Sequence, residues 1–207
     1  MRLSLKTADT WNRKLHYYAG LYLLFFLWLF SLSGLIINHP NWPMANFWAS
    51  RKQERFERPL RPPAGATDLD RARDVLAQLG LSGEIDFPAP TQEPGRLAFR
   101  ASRPGRTWEI QADLDRHVAT VAATTVNGWG VLHILHTFSG VRMNEPRMTR
   151  DWSVTSVWSF AMDALAVGLI GMVLGGYWMW LRSARRLLAG ALAAAAGCAI
   201  AAFFMLG

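Results

Sequence analysis

The chain has 207 residues, 51% of them hydrophobic and ten of them tryptophan, with a formal net charge of +7. The apolar residues fall in blocks, which points to a membrane protein rather than a soluble globule, and the length suits one modest domain beside its anchors. No basic stripe interleaved with aromatics accompanies the positive charge, so nucleic acid is not a partner. The single cysteine, Cys198, excludes an intrachain disulfide and a cysteine-built metal or iron–sulfur site, and is expected as a small buried residue.

Residues 1–15 carry Arg2, Lys6, Arg13 and Lys14 against Asp9, which assigns this end to the cytoplasm. From Tyr17 to Ile37 run 21 residues without a charge. As a helix they reach roughly 32 Å, close to the thickness of a bilayer's hydrocarbon. The run is too long for a signal-peptide core, and no small-x-small cleavage site follows it, so it reads as a retained span. His16 stands before the span and His39 after it, and Pro40 and Pro43 end it.

Residues 38–66 read as irregular, with five prolines, and the mixed charges of Arg51 to Arg58 read as a solvated face. Thr67 to Leu79 has the pattern of a helix. Thr67 is its N-cap, Asp70 completes a capping box, and Leu69, Ala72, Val75, Leu76 and Leu79 share a face before Gly80 closes it. Three strands are expected at Arg96–Arg103, Thr107–Ala112 and His117–Ala123, the first two joined by a Pro104-Gly105 turn. A helix-plus-antiparallel-sheet module of about 60 residues has a marginal core alone, so it is expected to rest on the membrane part or a partner.

Val131 to Phe138 can be helical, with Gly140 as a stop, and a basic loop with Arg142, Arg147 and Arg150 follows. Ser153 to Trp180 is a second span whose only charge is Asp163. Within it Gly171-Met-Val-Leu-Gly175 forms a GxxxG pattern that allows close helix approach, and with it a homodimer. Arg182, Arg185 and Arg186 make a second cytoplasmic loop before the Ala-rich third span, Leu187 to Leu206.

The expected organisation is therefore an α-helical integral membrane protein of three spans, with a small α+β insert outside the membrane between spans one and two. Residues 1–40 form the cytoplasmic tail and first span, and 41–125 the linker and α+β domain. Residues 126–151 form a histidine-bearing interfacial segment, and 152–207 the last two spans.

Three stretches carry a resemblance. They are Arg13-Lys-Leu-His-Tyr-Tyr-Ala-Gly-Leu, Ser33-Gly-Leu-Ile-Ile-Asn-His, and Leu132-His-Ile-Leu-His-Thr-Phe-Ser-Gly followed by Trp158 to Leu165. They resemble R-x-L-H-x-x-x-G-L, S/T-G-L-L-L-N-H, L-H-x-G and W-x-x-D-x-x-A of the PepSY-associated transmembrane family, and the insert looks like a PepSY module. The resemblance implies a bacterial inner-membrane protein with residues 41–151 in the periplasm. It also implies a link to iron uptake, since larger members reduce ferric siderophores with histidine-bound b-type haems.

The residues allow such a site. His39 ends the first span, and His133 and His136 lie three apart in a segment that must return to the same membrane boundary. An imidazole from each element would provide axial ligands of haem b, with Leu132, Leu135, Phe138 and Trp129 as an apolar slot. Arg142, Arg147 or Arg150 would pair the propionates. Asp163, costly inside a span, would hold a ligand histidine's second nitrogen or pair helices. His16 lies at the opposite end, where no second histidine exists, and His117 reads as a surface polar residue.

Three functions compete. The first is haem-dependent electron transfer, reducing ferric iron or a ferric siderophore. The second is a non-enzymatic module that binds a partner protein. The third is a zinc or copper site on His39, His133 and His136. No H-E-x-x-H, G-x-S-x-G, nicotinamide or flavin fingerprint is present, so hydrolysis is unsupported and electrons would come from a quinone or a redox partner.

Overall fold

A computed structural model describes residues 5–87, 94–140, 150–183 and 187–206. The chain divides into two compact units, Met1–Leu27 with Met162–Gly207, and Trp28–Ala161. Helices α1 (Leu5–Ile37) and α4 (Ser153–Leu181) contribute to both, and α5 (Leu187–Leu206) to the first. All three are long and apolar enough to cross a membrane, as expected for a multi-pass membrane protein.

In the first unit α1 lies along α4 through small residues. A Cβ added at Gly168 would stand 3.1 Å from Leu23 Cδ1, and one at Gly20 would stand 3.5 Å from Met172 Cε. Asn12 Nδ2 donates to the Gly175 carbonyl at 2.9 Å. Asp9 accepts from Trp178 Nε1 at 2.8 Å and from Arg182 Nη2 at 3.1 Å, tying α1's first turns to the end of α4. Gly175 of the GxxxG pattern is thus met from within the chain, whereas Gly171 faces open space. Cys198 is exposed on α5, contrary to the expected burial, because none of α5's 18-residue apolar window is buried inside the chain.

The second unit contains the α+β module. A five-stranded antiparallel sheet runs in the order β1-β5-β4-β3-β2, formed by Lys52–Pro59, Glu84–Asp86, Arg96–Arg103, Arg106–Asp113 and Val118–Thr125 for β1 to β5. Alternation places Leu97, Phe99 and Ala101 of β3 on one face, beside Ala112, Ile110 and Trp108 of β4 and Ala119, Val121 and Ala123 of β5. Helix α2 (Asp68–Gln78) covers that face with Ala72, Val75 and Leu76. Its predicted capping box is present: Asp70 N–H donates to Thr67 Oγ1 at 3.1 Å, and Thr67 N–H donates back to Asp70 Oδ2. The Pro104-Gly105 turn is also present, with Gly105 at φ 86° and Arg103 paired to Arg106.

Two strands escaped the sequence reading. Residues 52–59, expected to be irregular, form β1 on β5, with every side chain but Phe56 exposed. The charges are solvated as expected, but an edge strand needs only backbone pairing, and charge on it blocks further strand addition. Strand β2 is three residues long, too short to show a period. The third predicted strand begins at Val118 because His117 adopts φ 55° in the preceding turn.

The module is fastened to the start of α4. Glu84, only 5% exposed, accepts from the backbone N–H groups of Asp151 and Trp152 at 2.8 and 3.2 Å. Its carboxylate thereby serves the helix's N-terminal donors and suits the positive end of the helix dipole. Arg73 of α2 pairs with Asp151 at 2.8 Å.

Candidate functional site

The second unit brings the C-terminal end of α1 together with α3 (Gly128–Thr137), the helix that carries His133 and His136. Asn127 caps α3, accepting from Gly130 N–H at 3.1 Å, so the helix starts three residues before the predicted Val131. Leu29, Ser33 and Ile36, at spacings of four and three, form the buried stripe of α1 here.

His136 enters beside that stripe. Its Nδ1 lies 2.7 Å from Ser33 Oγ, and its ring meets Phe30 edge-on at 5.3 Å. Ser33 Oγ also sits 2.8 Å from the Leu29 carbonyl, to which it can only donate. With that proton committed, the hydroxyl oxygen accepts from His136 Nδ1–H, so that in the neutral ring Nε2 carries the lone pair. Gly34 lies against the ring: an added Cβ would stand 3.4 Å from His136 Cε1, in van der Waals contact.

His39 is prepared in the same sense. Its Nδ1 is 2.9 Å from the Leu35 carbonyl, which only accepts, so Nδ1 carries the proton and Nε2 the lone pair. The ring is stacked on Trp42 with centroids 4.4 Å apart and planes at 24°, which fixes its orientation. His133 packs against Phe47 at 5.0 Å, and its Nδ1 is buried without a hydrogen-bond partner among the described residues. An engaged Nδ1 with a presented Nε2 is the arrangement that metal-ligating histidines adopt. Imidazole nitrogen is a ligand type that haem iron accepts.

Arg142 and Arg147 fall outside the described residues, and Arg150 Nε donates to the Ser139 carbonyl at 3.4 Å. Asp163 belongs to the first unit and is exposed on α4. His16 is also in the first unit, on the part of α1 that faces Gly176, with Nδ1 buried and unpartnered. Among the described residues no three His, Cys, Asp or Glu side chains gather as a metal-holding group.

Sequence reasoning quoted Ser33 and Gly34 as part of a motif but gave them no role. A hydroxyl beside a glycine in an otherwise apolar span is the signal that should have marked a close, hydrogen-bonded helix approach. Neither a family model, nor a curated protein, nor a solved structure matches this chain.

Proposed function

We propose that this chain is a membrane-bound b-type haem electron-transfer protein, a small relative of the PepSY-associated transmembrane proteins. Its α+β module would be the PepSY-like part. Its membrane would be the bacterial inner membrane, with the N-terminus inside and residues 41–151 in the periplasm.

The observation that carries this reading is the shared preparation of His39 and His136, each with Nδ1 engaged by an oxygen of α1 and Nε2 left to bind iron. These two imidazoles would hold the haem, with His133 as the alternative ligand and Arg142 pairing a propionate. Asp163 would serve helix pairing and His16 a weaker, separate role. Bound haem supplies a one-electron carrier. The residues of this chain engage Nδ1 of both imidazoles and set ring orientation through Trp42 and Phe30. The acceptor would be ferric iron or a ferric siderophore, and the donor a quinol or a redox partner.

The test is the optical spectrum of full-length protein purified in detergent from haem-replete cells. A reduced-minus-oxidised Soret and α band is expected, lost in both His39→Ala and His136→Ala. Ser33→Ala is expected to keep the haem but shift its midpoint potential, because the imidazole loses its acceptor. Colourless protein ends the haem reading. Stoichiometric zinc or copper in that protein would favour a metal site, and its absence an anchored partner-binding module.

A further inference from the structure

A second site in the same unit does not depend on haem. A cavity of about 410 Å³ lies between the Arg103-Pro104 tip of the β3–β4 hairpin, the end of α3 and the first turns of α4. Its walls are apolar and aromatic: Leu135, Phe138, Trp152 and Trp158. Trp158 is held in place by its Nε1–H, which donates to the Phe138 carbonyl at 3.2 Å.

Two polar groups line this apolar space. Thr155 is 0% exposed, and its Oγ1 has no hydrogen-bond partner among the described residues. A fully buried hydroxyl without a partner is costly unless a ligand satisfies it. Arg103 is half-buried, rests over the Trp108 ring at 5.2 Å, and makes no ion pair among the described residues. A guanidinium and a hydroxyl donor beside the same cavity select an oxyanion.

The rest of the cavity says what the oxyanion is attached to. Val154 also lines it and is half exposed on α4, and Val157 and Phe160 beyond it are 69% and 74% exposed. The apolar wall therefore continues onto the surface that α4, a helix apolar enough to span a bilayer, offers to lipid tails. We propose that this cavity binds one phospholipid, its phosphate oxyanion on Arg103 and the Thr155 hydroxyl and its acyl chains running along Trp158 and the outer face of α4.

The test is native mass spectrometry of delipidated full-length protein in detergent, titrated with dioleoyl phosphatidylglycerol. One lipid is expected to bind. Arg103→Ala is expected to weaken it about tenfold. Thr155→Val, which keeps the shape and removes the hydroxyl, should weaken it about threefold or more. Arg100→Ala, which removes a half-buried arginine of β3 paired with Glu109, should leave it unchanged. Dioleoylglycerol, with the same tails and no phosphate, should bind at least tenfold more weakly than the phospholipid. Three outcomes overturn the proposal. They are equal binding of dioleoylglycerol, displacement of the lipid by equimolar inorganic phosphate, and undiminished binding in both folded variants.

Discussion

In the α+β module Phe99, Ile110 and Val121 sit side by side across three strands and are at most 2% exposed, whereas Phe160, Phe203 and Phe204 on the apolar helices are all more than 70% exposed. The residue type is the same and its use is opposite. In the module, water is the alternative surrounding, so apolar area must be buried inside the chain. On α4 and α5 the alternative is hydrocarbon, and the chain's own interior gains nothing over it. What then holds helices together is close approach at small residues and a few polar contacts. The first unit shows this at Gly168 against Leu23 and Asn12 against Gly175.

That contrast can be broken by substitution. Phe99→Ala should destabilise the module by about 3–5 kcal/mol, while Phe203→Ala should stay within about 0.5 kcal/mol. Denaturant unfolding in detergent micelles, followed by the strand signal in circular dichroism for the first and the helix signal for the second, checks both. Comparable losses would mean that the apolar helices also rely on internal burial.

A sharper version lies within α4. Gly168→Leu should cost about 1–3 kcal/mol because its side chain would collide with Leu23, and Gly171→Leu, which faces open space, should cost little. Thermal unfolding of the two variants gives the order. If Gly171→Leu changes the oligomeric mass while Gly168→Leu does not, Gly171 is the contact to a second copy.

The joint between module and α4 can be tested through Glu84. Glu84→Ala should cost about 1–3 kcal/mol, since it removes the acceptor of the part-buried N–H groups of Asp151 and Trp152. Arg73→Ala, whose side chain is largely exposed, should cost less. Limited proteolysis near residue 150 would report a loosened joint as faster cleavage in the first variant than in the second.

The smallest effect is expected from pH. The Thr67 hydroxyl, followed by its backbone N–H and the Arg73 charge, holds the Asp70 carboxyl below its ordinary value. The Ala64 N–H and the Gln78 side chain do the same for Asp74. A lowered folded-state value means that the contribution is fully present above the ordinary carboxylate range. It is lost as pH falls through and below that range. Module stability measured against pH should therefore decline on acidification, and less steeply in Thr67→Ala.

The elements that could be read from sequence are those whose residues meet one physical demand along their whole length. The three spans are uniformly apolar, α2 has a cap and an apolar face, and β3 to β5 have period two with a Pro-Gly turn. Strand β1 satisfies no demand of its own side chains. It exists because β5 offers it a row of backbone partners, and a charged edge strand carries no hydrophobic period to read. The histidines were visible as residues, but the groups that set their tautomers were not. Ser33, Leu35 and Trp42 matter through distances of 2.7 to 4.4 Å, which no spacing rule supplies.

By itself the sequence determined the number of the apolar helices, the module between the first two and its capped helix, because each depends on composition and local periodicity; it did not show that the first helix reaches back through the basic tail to Leu5. Only the tertiary structure decided that His136 meets Ser33 across more than a hundred residues, that Glu84 closes the start of α4, and that Arg103 and Thr155 come to one cavity. Those pairings join residues from separate elements, and their partners are chosen by how the elements pack rather than by the neighbours each has in the chain.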